Sequence, residues 1–137
     1  MSLLSEACYA HFSTTLSVGT RVYPRRLPQN AVMPAVTFQV IPAVGAIKTH
    51  SDAHSSGNVA SAMRVRMQFD CWATTYNGME DLAQELRQQL HGFNGTWDTL
   101  KIESIHTDLD FDSYDQEIDN YRRIIDCMVN YNEVARV

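Results

Sequence analysis

Residues 63–90, MRVRMQFDCWATTYNGMEDLAQELRQQL, set a strand directly against a helix. Met63, Val65, Met67, Phe69 and Cys71 alternate with Arg64, Arg66, Gln68 and Asp70, the period-2 pattern of a strand buried on one face. Asn77-Gly78 then reads as a turn, after which Met79, Leu82, Ala83, Leu86 and Leu90 recur at helical spacing. Glu80 and Asp81 are expected in the first helical turn, where carboxylates suit the positive end of the helix dipole. The unit is a packed two-layer block, and it contains no evident chemistry.

Outward from this block, the N-terminus shows Leu3, Leu4, Ala7, Cys8, His11, Phe12 and Leu16 at helical spacing, with Ser2 or Ser5 as a cap and Gly19 near the end. The following RVYPRRLPQNAVMP has three prolines in fourteen residues and must be extended or turning. Residues 35–41, AVTFQVI, alternate as a strand closed by Pro42. Residues 43–61 are small, polar and glycine-punctuated, and are expected to form a long mobile loop. A third strand is predicted over 99–107. The acidic run DLDFDSYDQEID is read as a loop, and a fourth strand spans 121–131 with Tyr121, Arg123, Ile125, Cys127, Val129 and Tyr131 on one face. The predicted order is α-β-β-α-β-β: an α+β fold with an antiparallel four-stranded sheet and two helices packed on one face. Phe38, Met67, Phe69, Leu82, Leu86, Ile125 and Val129 should share a single core.

A chain of 137 residues is the size of one domain, and 1–137 is read as such. With 45% hydrophobic and 20% charged residues it is expected to be a soluble globular protein. No apolar run approaches a membrane span, and no secretory signal is expected. Cys8, Cys71 and Cys127 are odd in number and without paired spacing, which favours small buried hydrophobes in a reducing cytoplasm over a disulfide framework. The net charge of −5 is unevenly spread: residues 1–66 sum to +4 and residues 67–137 to −9. Nine of the eleven cations are arginine, the cation favoured at interfaces and in carboxylate pairing. A basic face and an acidic face suit a head-to-tail ring, and the acidic total disfavours nucleic acid as the main partner.

The candidate chemistries are weak. His50 and His54 flank Asp52, but in a Ser/Gly-rich segment they read as loop histidines rather than a metal pair. Asp108, Asp110 and Asp112 mimic the start of a calcium loop, yet Ser113 and Asp119 stand where glycine and a bidentate glutamate belong. Cys8 and His11 read as helix packing, the glycines are single, and Arg25-Arg26 are too few for a nucleic-acid stripe. No catalytic, cofactor-binding or metal-ligating residue is assigned.

Three segments in order carry a resemblance: RVYPRRLPQNAVMPAVTFQVI (21–41), RVRMQFDCWATTYNGMEDLAQELRQQL (64–90) and DSYDQEIDNYRRIIDCMVNYNE (112–133). Together they resemble the tail completion family of long-tailed bacteriophages and prophages, also called tail terminator or head–tail joining proteins. The resemblance implies a lambda-type tail terminator-like α+β subunit, a structural virion protein of the tail and neck, assembled in the host cytoplasm. It implies a hexameric ring that caps the tail tube and joins the completed tail to the head connector. Its partners would be copies of itself, the tail tube protein and the head completion or connector protein. Genomic DNA would pass through the ring without specific binding, and no membrane, enzyme activity or cofactor is implied. The residues proposed for subunit or partner contact are Arg21, Tyr23, Arg25, Arg26, Ile47, Lys48, His50, Arg64, Arg66, Asp110, Asp112, Asp115 and Arg122. The alternatives are a small metal-dependent enzyme, which would need His50, His54 or the aspartate run to hold an ion, and a small non-viral α+β adaptor.

Overall fold

The computed structural model describes residues 3–41, 46–47, 60–115 and 119–134. Helix α1 (Leu3–Thr15) is followed by strands β1 (Val22–Pro24), β2 (Ala35–Ile41), β3 (Ala46–Ile47) and β4 (Ala60–Ala73). Helix α2 (Tyr76–Leu90) and strands β5 (Gly95–Trp97), β6 (Leu100–Asp115) and β7 (Asn120–Val134) complete the order. The expected mobile loop at 43–61 lies outside the described residues except where β3 and the start of β4 enter it.

The fold is mixed α+β, but the expected four-stranded antiparallel sheet is wrong. All seven strands join one sheet in the order β1-β2-β4-β7-β6-β5, with β3 also pairing with β4. β1 runs parallel to β2 (Val22 opposite Val36), so the sheet is mixed. β1, β3 and β5 have only two or three residues each, too few to display an alternation. The acidic run expected as a loop is strand instead, since β6 continues to Asp115. Register shifts between Ile102 and Ser104, and again between Thr107 and Leu109, mark two bulges in that strand. Each bulge reverses which face the following residues take, so Ile102 and Ile105, three apart, both turn inward.

The expected turn at Asn77-Gly78 is also wrong, because both residues lie in the first turn of α2. Thr75 caps that helix, its Oγ1 accepting the Gly78 N–H at 3.0 Å. A Cβ at position 78 would sit 2.9 Å from that same oxygen, so the close cap favours glycine. With the helix starting at Tyr76, Glu80 and Asp81 fall in the second turn.

The inward rows of the sheet are read off the register. Phe38, Phe69 and Ile125 align across β2, β4 and β7, flanked by Val40, Met67 and Cys127 on one side and Val36, Cys71 and Arg123 on the other. On α1, Leu4, Ala7, Cys8 and Phe12 are buried, and on α2 Met79, Leu82, Ala83, Leu86 and Leu90. Phe12 meets Phe69 edge-on at 5.6 Å and Trp97 at 5.2 Å. All seven residues expected to share a core belong to this single cluster. Each such side chain contributes about 1.5–3 kcal/mol when fully buried. The three cysteines are free and buried, Cys71 and Cys127 on the apolar rows of their strands and Cys8 on α1. Burial raises the Cys8 and Cys71 thiols and pushes Cys127 up to about 12.

Candidate partner interface

The face of the sheet turned away from the helix-bearing core carries the polar rows. Ala35, Trp72, Arg122 and Ser113 form one row, and Thr37, Asp70, Ile124 and Phe111 the next. The Trp72 indole N–H donates to Thr37 Oγ1 at 3.0 Å, and the Arg122 guanidinium lies 5.1 Å above the Trp72 ring. Arg122 Nη2 donates to Asp70 Oδ2 at 2.7 Å, and Gln68 Nε2 to Asp70 Oδ1 at 3.1 Å, so the buried Asp70 is a satisfied carboxylate.

Over this floor arches the arm between β1 and β2. Arg25 enters it at φ +71°, a left-handed conformation uncommon for a residue with a side chain, and its N–H is fixed to Phe38 O at 2.7 Å. Asn30 is likewise left-handed at φ +60°. Residues 25–31 and Met33 of the arm, with Asp70, Trp72, Asn120 and Arg122, enclose a concavity of about 720 Å³. Three of the proposed contact residues, Arg25, Arg26 and Arg122, thus come together around one hollow. Nothing in local periodicity singled out Asp70, Trp72 or Asn120, since their neighbours come from β2, the arm and β7.

The other proposed residues disperse. Arg21 is turned to its own arm, its Nε donating to Pro34 O at 2.9 Å, and Tyr23 is half-buried on β1. Arg64 is exposed on β4. Arg66 pairs with Asp126 at 2.8 Å and lies 3.8 Å from Asp108. Asp110 and Asp112 project on the helix side, where the buried Arg123 reaches Glu80, Asp110 at 3.1 Å and Asp112 at 3.6 Å, and Arg87 also pairs with Asp110. The three aspartates that mimic a calcium-loop start, Asp108, Asp110 and Asp112, are therefore each paired with an arginine. Lys48 and His50, with the side chains of Ile47 and Asp115, lie outside the described residues, as do His54 and Asp52.

Among the described residues, no group of three or more His, Cys, Asp or Glu is arranged to hold a metal ion. Among the described residues, no helix is long and apolar enough to cross a membrane. What the arrangement offers is a basic hollow beside one end of the sheet and an acidic strand toward the other.

A family model described as "Tail completion protein gp17" matches residues 3–132. Among solved structures, a chain of one described as "Virion of native gene transfer agent (GTA) particle" is similar in fold, with a TM-score of 0.50. The similarity covers 97% of this chain and 87% of that one, at 12% identity. No curated protein matches the sequence.

Proposed function

The chain belongs to the tail completion protein gp17 family, whose members are structural proteins of the bacteriophage virion, and from that premise we propose that it caps the tail tube as a hexameric ring and joins the completed tail to the head connector. The observation that carries the ring is the charge polarity of the sheet. Its β1 end bears Arg21, Arg25 and Arg26, and toward the other end β6, which the short β5 borders over only three residues, bears Asp108, Asp110, Asp112 and Asp115. Complementary, unlike faces support a heterologous contact, and such a contact closes into a ring when its rotation permits.

In this reading the contact residues are the arginines around the hollow on one subunit and the acidic strand on the next. The tail tube protein and the head connector take the two rims of the ring. An excess of carboxylates along the lumen would let DNA pass without adhering, because like charges repel.

The reading is tested in particles assembled without this protein. Full heads and finished tails should accumulate separately, and adding the purified protein should restore joined, infective particles. Normal head–tail joining in its absence would refute the joining role. Mass measurement of the protein on isolated tails should give six copies, and any other count would refute the hexamer.

A further inference from the structure

From Thr107 to Asp115, β6 pairs on one side with β7 and, among the described residues, with no strand on the other. β5 covers only Leu100–Ile102. The next carbonyls are taken by the turn after α2: the Gly92 N–H donates to Ile105 O at 3.0 Å, and Asn94 Nδ2 to Glu103 O at 2.9 Å. Beyond them the edge is open, and an open edge is a template for another extended chain.

Two independent features say what kind of chain it fits. Leu109 is 51% exposed and Phe111 43%, adjacent on the outer face of the edge, whereas the exposed Tyr114 lies on the opposite face against Tyr121. Interleaved with Leu109 and Phe111 are Asp108, Asp110 and Asp112. Asp112 holds its arginine only at 3.6 Å, and Asp108 lies 3.8 Å from Arg66 and 3.4 Å from His106, so neither carboxylate is closely paired and each keeps lone pairs for a second cation. A second β6 edge is the wrong partner, since aspartates would oppose aspartates. The right one is extended, basic and partly apolar.

The other end of the same sheet supplies these parts. β1 is extended and, among the described residues, pairs on one side only; it is flanked by Arg21, Arg25 and Arg26 and leads into an arm on which Val32 is 63% exposed. We infer that the open edge of β6 seats the free edge of β1 (Val22–Pro24) of a second copy, the arm that follows it bringing Val32 against Leu109 and Phe111 and the arginines against the aspartates. This rests on the ring reading and specifies its contact: the sheet of one subunit continues onto the next.

The experiment uses Val32→Cys and Phe111→Cys in one chain, oxidised mildly as assembled on tails. The native cysteines are buried and do not compete. A covalent ladder of subunits is expected, absent from dilute monomer. In parallel, Leu109→Lys with Phe111→Lys should abolish self-association while leaving the melting temperature unchanged, because both side chains are exposed. Six copies on the tail without a ladder, or unchanged self-association of the lysine variant, would overturn this contact and spare the ring. A ladder that extends without closing at six would establish the contact and overturn the hexamer.

Discussion

The guanidinium of Arg122 lies 5.1 Å above the ring of Trp72, and the same guanidinium holds Asp70 at 2.7 Å. One cation thus joins β7 to two residues of β4 and forms the floor of the hollow beneath the arm. Asp70 is only 10% exposed in its side chain, so its charge depends on this partner and on Gln68.

Arg122→Ala should therefore destabilise the fold by about 2–4 kcal/mol, somewhat less than for a fully buried pair because Arg122 itself is partly exposed. Adding Asp70→Asn should recover part of that loss, since the orphaned charge is then gone. Urea unfolding of the two single variants and the double variant gives the coupling directly, and a value near zero would mean that the pair is no more than a surface contact.

Phe69 sits at the centre of the inward rows, against Phe12 and Phe38, and Leu86 of α2 belongs to the same buried cluster. Phe69→Ala and Leu86→Ala should each cost about 2–5 kcal/mol through lost transfer energy and the cavity left behind. Changes near zero in both would show that the two layers pack through other residues.

Where the sequence was legible, it was because a strand or helix kept one rhythm over its length. β2, β7 and the buried stripe of α2 each alternate or repeat without interruption, and that rhythm marks their ends to within a few residues of those observed. β6 breaks its rhythm twice at bulges and carries aspartates on an edge, so its second half imitates a solvated loop. β1, β3 and β5 are too short to have a rhythm at all. The same distinction governs the site. Arg25 and Arg26 stand out as adjacent cations, but their association with Trp72, Asp70 and Arg122 depends on register between segments some fifty residues apart. Arg123 sits on the apolar row of β7 because Glu80, Asp110 and Asp112 converge on it from α2 and β6.

His11 is half-buried on α1 among Phe12, Phe93 and Trp97, its ring 4.9 to 6.0 Å from theirs. Burial holds its pKa below the ordinary 6.5. Well above pH 6.5 the ring is neutral in the folded and unfolded chains alike and adds no pH dependence. As the pH falls through 6.5 the unfolded chain takes up the proton first, so this group lowers stability until the folded ring is protonated too. His11→Phe keeps the aromatic packing and removes the titration. Its unfolding midpoint should fall less than that of the wild type between neutral and mildly acidic pH. Equal falls would mean that His11 is solvated in the folded protein.

Arg25 and Arg26 are exposed, and no hydrogen bond or ion pair of their side chains is seen among the described residues, so the fold gains little from their charge. Their positions at the mouth of the hollow are instead where an acidic neighbour would meet the subunit. Arg25→Glu with Arg26→Glu turns that attraction into repulsion against the aspartates of β6. The expected outcome is a melting temperature close to the wild type's together with loss of ring assembly and of tail joining. The defect should be partly relieved at high salt, which screens exposed charges beyond about 8–10 Å. Native mass spectrometry and head–tail joining assays at two ionic strengths check this. Rings that form normally at low salt would show that the charge polarity of the sheet does not drive assembly, whereas loss of folding would show that the two arginines serve the arm itself.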